Sequence, residues 1–380
     1  MDDTMAAGPR HILMIAHPAC LSDTTAGPFV HVSGTRSGLL ELGYQVQLLR
    51  FPRLERPLFG SGHSPRRSAS GCLARLALPF VAAVSCLRSP GALPYVRHYY
   101  DFSPLYVTLR LMSRPFIIEV NATLFEEPHA FARLPEALLR LMRRAESFAL
   151  GRASAVVVVS EVLRSRLIER GLEPRRVFVA HNGCKCGREQ TGRFDNEEGR
   201  IVFVGNFKRW HGIDALLRTY AAIEEDKRPG LSLVGDGELR PSMQELAREL
   251  GVADSVRFLG RRSRDETRRL MREALVLVLP DSNEYGSPLK LFEYLSTGRP
   301  AVLPDLAVIR EVVKDGVHAV LFRPGDTSSL RDAILKVIRD PALAEKIGEA
   351  GRELVCDQYT WLAHARRVSR AIELTPGRRM

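Results

Sequence analysis

Glu284-Tyr285-Gly286-Ser287-Pro288-Leu289-Lys290-Leu291-Phe292-Glu293-Tyr294-Leu295-Ser296-Thr297-Gly298-Arg299-Pro300 says more about this 380-residue chain than any other stretch. It follows an apolar run, Ala274 to Pro280, that reads as a buried strand, and precedes a second short strand, Ala301-Val302-Leu303. Between them Leu289, Phe292 and Leu295 fall at helical spacing, so a helix begins at Ser287-Pro288. Proline is preorganised for a first turn, and Ser287 is a good N-cap. A helix N-terminus offers free N–H groups and a partial positive charge, which suits a phosphate. Charge alone would not place the cation Lys290 in that turn; a bound anion offsets the repulsion. One turn on, the Glu293 carboxylate can accept hydrogen bonds from a pair of sugar hydroxyls. A diphosphate beside a ribose would satisfy all of these groups together.

Outward from this segment, strand-like and helix-like stretches alternate. In the first half, strands are expected at His11 to Ala16, Tyr44 to Leu49, Ala92 to Tyr95, Phe116 to Val120, Ala155 to Val159 and Val177 to Ala180. A Gly-containing loop, Ala26-Gly27-Pro28, leads into a helix from about Val30 to Glu41. The apolar pattern stops in a polar, Gly-rich linker, Gly187 to Gly199, and then restarts. Further strands are expected at Ile201 to Val204, Leu231 to Val234, Val256 to Leu259, Val276 to Leu279, Ala301 to Leu303 and Ala319 to Phe322. Short apolar runs separated by helical patterns imply parallel sheets covered on both faces. The fold class is therefore α/β, with two doubly wound domains, residues 1–187 and 199–357, and ligands expected at the carboxyl ends of strands.

The net charge is +11 and the pI about 9.6, which suits anionic substrates, a membrane surface or nucleic acid without choosing among them. Only 26% of residues are charged and no dense Lys/Arg run occurs, so a nucleic-acid partner is not expected. The six cysteines form no CxxC pair and no His-spaced cluster, which points away from zinc. They read as reduced thiols of a cytoplasmic protein. Cys184-Lys185-Cys186 is too tight for an ordinary disulfide. No signal peptide is evident, and Cys72 to Leu87, broken by Arg75 and Pro79, falls short of a membrane span. That stretch reads as an amphipathic helix against the core, with peripheral contact at the inner membrane face as the minority alternative.

Several strand-end loops carry candidate chemistry. Val204-Gly205-Asn206-Phe207-Lys208-Arg209-Trp210-His211-Gly212 gathers Lys208, Arg209 and His211 where they can neutralise a diphosphate, and Gly205 allows close backbone approach; the alternative is a solvated turn. Val234-Gly235-Asp236-Gly237 and Phe258-Leu259-Gly260-Arg261-Arg262 are weaker, since such turns often only connect elements. In the first domain, Glu119 and Asn121 share one face of a strand end, positioned for sugar or acceptor hydroxyls or for structure. His98 is a weak candidate base, and His181-Asn182-Gly183 reads as a turn. The fingerprints GxGxxG, GxxxxGK[ST] and GxSxG are missing, which argues against dinucleotide binding, a P-loop NTPase and an α/β-hydrolase.

The loops at 204–212, 234–237 and 258–260, together with Ser287 to Gly298, resemble in order and spacing the retaining GT-B glycosyltransferases of family four (glycosyl transferases group 1). The resemblance spans nearly the whole chain. It implies two Rossmann-like domains facing a deep cleft, with a C-terminal helix, about 358–380, returning to the first. It also implies transfer of a sugar from a nucleoside diphosphate sugar, most naturally UDP, to a hydroxyl acceptor. The family's ribose glutamate falls on Glu293, its sugar-binding glutamate on Tyr285, its phosphate-binding Arg and Lys on Asn206 and His211, and its first-domain His on Asn121.

On this reading Lys290, Arg209, Lys208 and His211, with N–H groups around Gly286 and Ser287, hold the diphosphate. Pro288, Leu289, Asp236, Arg262 and Gly27 complete the donor site, Glu119 and Asn121 act from the first domain, and no metal or other cofactor is expected. The leaving phosphate oxygen would take the acceptor's proton. The basic, apolar stretch Leu58 to Arg88 is the expected acceptor region. Rival readings are a GT-B sugar-nucleotide epimerase and a noncatalytic nucleotide-sugar-binding protein.

Overall fold

The computed structural model describes residues 11–24, 26–49, 78–99, 103–126, 134–187 and 199–375. They form two compact units, one running to His181 and resuming at Trp361, the other running from Asn182 to Thr360. Most of the expected linker (188–198) and of the expected acceptor region (58–77), with Cys72, lies outside the described residues.

The first unit carries β1 (His11–Ile15), α1 (Gly27–Glu41), β2 (Gln45–Leu49), α2 (Leu78–Arg88), β3 (Leu93–Arg97), α3 (Ser103–Leu111), β4 (Ile117–Val120), α4 (Glu136–Arg152), β5 (Ala155–Val158), α5 (Glu161–Glu169) and β6 (Val177–Val179). Its six strands are parallel, in the order β2-β1-β3-β4-β5-β6. The pleat explains why they read as continuous apolar runs. Ile12 and Met14 of β1 enter one core, while Leu13 and Ile15 enter the other. Helices α2 to α5 cover the second face, and α1 covers the first together with the C-terminal helix α13 (Trp361–Glu373).

The second unit carries β7 (Ile201–Val204), α6 (Ile213–Ala221), β8 (Leu231–Val234), α7 (Arg240–Glu249), β9 (Val256–Gly260), α8 (Arg264–Arg272), β10 (Val276–Val278), α9 (Leu289–Leu295), β11 (Ala301–Pro304), α10 (Ala307–Arg310), β12 (Val320–Phe322), α11 (Thr327–Arg339) and α12 (Pro341–Gln358). Its sheet is again six-stranded and parallel, ordered β12-β11-β10-β7-β8-β9. Every strand expected from the apolar runs is present, and the α/β, doubly wound class holds. The strand order reverses between β1 and β3 in the first sheet and between β7 and β10 in the second. Outside the carboxyl ends of strands at such a reversal, a doubly wound sheet opens a crevice for ligands.

Two features escaped the sequence reading. Cys186 and Cys356 form a disulfide, with Cα atoms 5.6 Å apart and 170 residues between them in sequence. The expectation of six reduced thiols is corrected for this pair. Nothing local to either cysteine signals it, because only tertiary folding brings them together. The second feature is a pair of glycines on α1. A Cβ at Gly34 would overlap the Trp361 indole, and one at Gly38 would overlap the Trp361 carbonyl oxygen. Their four-residue spacing puts both on one face of α1, where the start of α13 seats. Among the described residues, no helix is long and apolar enough to cross a membrane.

The tight α1–α13 contact predicts that Gly34→Ala lowers stability by roughly 1–3 kcal/mol through overpacking. Gly151→Ala, on α4 with open space around it, should be neutral or stabilising. Thermal denaturation of both variants checks the contrast.

Candidate active site

The reversal point of the second sheet is where the sequence-singled loops meet. Tyr294 of α9 is fully buried, and its hydroxyl accepts from the Val204 N–H at 2.8 Å and lies 3.4 Å from the Val278 carbonyl. It thereby ties α9 to the ends of both β7 and β10. Leu291, Phe292 and Leu295 are also buried, so this short helix is anchored along one broad face.

The helix starts at Leu289, with Pro288 in the cap position and no side-chain cap. Ser287 is therefore not the expected N-cap. Its hydroxyl instead accepts from the Asn182 N–H at 3.2 Å, and its carbonyl accepts from the Asn182 side-chain amide. The Gly286 N–H, expected to face a phosphate, donates to Asn283 Oδ1 at 2.6 Å. The N–H groups of Leu289 and Lys290, in the first turn, have no intrahelical acceptor by construction.

Lys290 is the centre of the arrangement. Its Nζ lies 2.8 Å from His211 Nε2 and 5.2 Å from the centre of the Phe203 ring. His211 Nδ1 donates to the Asn206 carbonyl, which fixes the tautomer and leaves the Nε2 lone pair for the ammonium. Gly205 makes the room, because a Cβ there would overlap Lys290 Cε and Nζ. Burial pulls Lys290 down from 10.5 to about 7, against a smaller opposing pull from Glu293. Burial, with the Lys290 charge behind it, holds His211 down at about 3, so this imidazole is neutral at pH 7.

Desolvation outweighs the attraction of Glu293, and an anion beside Nζ would offset what remains.

Other candidates surround this pair. Glu293, half-buried one turn along α9, is raised by burial, with Arg264, Lys290 and Arg268 drawing it back. Lys208 lies 3.5 Å from Glu238 and over the Trp210 ring. Asn206, Arg209 and Arg262 are exposed, and Tyr285 is half-buried. Asp236 accepts from the Gly237 N–H at 2.8 Å and lies 3.5 Å from Arg240, so it shapes its own turn. The loops after β7 and β8 are joined where the Phe207 N–H donates to the Asp236 carbonyl at 2.9 Å. Residues the sequence reading missed are Asn182, Asn283, Arg264 and Arg268. Asn182 and Asn283 act across loops and Arg264 and Arg268 from α8, and no local pattern announces that.

In the first unit, Glu119 is corrected from a substrate contact to an interior anchor. It is 2% exposed, and its carboxylate accepts from Tyr95 at 2.6 Å, Arg97 at 2.8 Å and Asn121 at 2.9 Å, with His31 Nε2 at 2.7 Å. Burial alone would raise its pKa; His31 first, then Arg97 and Tyr95, hold it well below the usual range. Asn121 is half-buried beside it, and Gly27 opens α1. His364 of α13 packs edge-on against His31, donates from Nδ1 to the His181 carbonyl and meets Thr35 Oγ1 at Nε2. Burial, reinforced by His31, holds His364 at about 4. The ligand atoms of His31, Glu119 and His364 lie within 4.8 Å of one another. His31 is paired with Glu119, and His364 is hydrogen-bonded to Thr35 and the His181 carbonyl. His98, weighed as a base, is buried between Tyr106 and Glu146.

The family profile described as "Glycosyl transferases group 1" matches residues 188–354, and that described as "Glycosyltransferase Family 4" matches residues 26–188. The chain belongs to this glycosyltransferase family. An uncharacterised glycosyltransferase of Methanocaldococcus jannaschii is 29% identical over 174 residues, 46% of this chain and 44% of that protein. The match thus spans less than half of that relative's length. Sucrose-phosphate synthase from Thermosynechococcus elongatus superposes with a TM-score of 0.76 at 18% identity, covering 95% of this chain and 98% of that one. Anabaena HepE in complex with UDP superposes with a TM-score of 0.70 at 15% identity, covering 95% and 99%. At such identities the likeness defines the fold, which is GT-B with two Rossmann-like domains.

The buried ammonium yields a direct expectation. After reductive methylation, carbon NMR should show one dimethyl-lysine resonance titrating near pH 7 while the others titrate near their usual value, and Lys290→Arg should remove it. A set of lysines that all titrate normally would contradict the placement.

Proposed function

We propose that this protein transfers a sugar from a nucleoside diphosphate sugar, with UDP as the nucleotide, to a hydroxyl acceptor with retention of anomeric configuration. The observation that carries the reading is Lys290: an ammonium held by a neutral imidazole, its desolvation offset only in part, with a carboxylate one turn away. A diphosphate beside Nζ repays that cost. Glu293 then meets the ribose hydroxyls, as a carboxylate at this position is suited to do. The UDP bound by the Anabaena neighbour supports uridine as the base partner.

Bond cleavage leaves negative charge on the departing β-phosphate oxygen, and on this reading Lys290 is the preorganised cation that stabilises it. Lys208 and Arg209 stand in the adjoining loop to neutralise the rest, so no metal ion is required. The acceptor hydroxyl forms its bond to the anomeric carbon on the face the phosphate leaves, and its proton passes to that phosphate oxygen. No protein base is invoked, which fits the burial of Glu119 and His98. His211 acts on Lys290 rather than on the donor. Its family counterpart is a cation, and here a neutral ring aims the one on α9.

The test is a panel of nucleotide sugars with simple hydroxyl acceptors, read by UDP release and by proton NMR of the product's anomeric centre. Retention with acceptor-dependent UDP release is expected; inversion, or release of UDP without any acceptor product, would overturn the reading. The donor should bind most tightly below pH 7, where Lys290 is already protonated. Its affinity should fall by up to about tenfold per unit as pH rises above 7.

A further inference from the structure

The helical layer α2–α3–α4 of the first unit presents an outer surface unlike that of an ordinary water-facing helix layer. Neighbouring helices pack side by side here, and their inner residues, such as Ala82, Leu109 and Leu150, fill the core below. The described residues expose fourteen large hydrophobic side chains, and nine of them sit on these three helices. Scattered singly, such residues need no explanation; gathered on one layer, they mark a contact surface. On α2, Phe80, Val84 and Leu87 follow helical spacing, with Phe80 67% exposed. On α3, Val107 and Leu111 lie one turn apart, and Leu111 is 80% exposed. On α4, Leu138, Leu141 and Phe148 add the third row.

The exposed charges on these helices are almost all of one sign. Arg88, Arg110, Arg140, Arg144 and Arg152 are exposed on the same three helices, against a single exposed carboxylate, Glu136. The other glutamate of α4, Glu146, is buried against His98. Arg152 lies over the Phe148 ring at 4.8 Å, an apolar stem and ring sharing one surface with a charged tip.

The geometry points to an anionic phospholipid surface as the occupant of the α2–α3–α4 face. A bilayer interface accepts both components at once, apolar side chains sinking to the acyl boundary while arginines meet lipid phosphates. A second copy of this chain, docked face to face, would set one row of arginines against the same row with almost no carboxylate to pair them. Nucleic acid would leave the apolar rows in water. The inference stands on this layer alone and is independent of the sugar-transfer reading.

Co-sedimentation of the full chain with phosphatidylcholine vesicles, with and without phosphatidylglycerol, tests it. Binding is expected only with phosphatidylglycerol, and it should weaken at high salt. Phe80→Ser with Leu141→Ser, and separately Arg140→Glu with Arg144→Glu, should each lower partitioning at least roughly tenfold. These side chains are exposed, so circular dichroism and melting temperature should not change. No vesicle binding at low salt, or binding indifferent to both pairs, would overturn the inference. So would a dimer in sedimentation velocity that the serine pair dissolves.

Discussion

A cation taken out of water is the constraint around which the second unit is arranged. Lys290 stays in its place because α9 is anchored by Tyr294 to the ends of β7 and β10. Gly205 clears the space, and His211 accepts from the ammonium. Each of these serves a single geometry. A side chain at 205 would expel the lysine, and a protonated imidazole at 211 would repel it. The sheet's strand order adds the location, because the loop that carries His211 and the loop that leads into α9 leave strands on either side of the reversal. What the fold supplies is thus a positive charge whose solvation has been removed in advance, the condition under which an anion contributes most.

The first unit shows the opposite solution to burying charge. Glu119 also lies in the interior, but four neighbours surround it, and its carboxylate is held ionised. The same neighbourhood takes in His364, so one cluster joins α1, β3, β4 and the C-terminal helix. A satisfied charge of this kind gives a core a defined arrangement and leaves nothing over for a ligand. Lys290 stands in contrast, because its burial is offset only in part.

The sequence made the architecture legible because buried parallel strands are apolar on both faces. Ile201 to Val204 or Ala155 to Val159 admits few other readings. It also placed Lys290, His211 and Glu293 in one neighbourhood, since all three lie in or just after strand-end loops. It misassigned Ser287 and Gly286, whose polar atoms meet Asn182 and Asn283 through loop packing that no periodicity encodes. Glu119 failed for a related reason. Strand alternation tells which face a carboxylate occupies, and not whether His31, Tyr95 and Arg97 wait there to bind it. The Cys186–Cys356 bond and the Gly34–Trp361 contact join residues distant in the chain, where spacing carries no signal.

The claim that Lys290 grips a diphosphate is tested most directly by calorimetry of UDP and UMP with the wild-type protein and with Lys290→Met. The account predicts that the wild type binds UDP on the order of tenfold or more tighter than UMP, through a charge-assisted contact worth about 1.5–3 kcal/mol. In the methionine variant that preference should collapse while UMP binding persists. Equal preference in both proteins, or no heat with UDP at all, would contradict it.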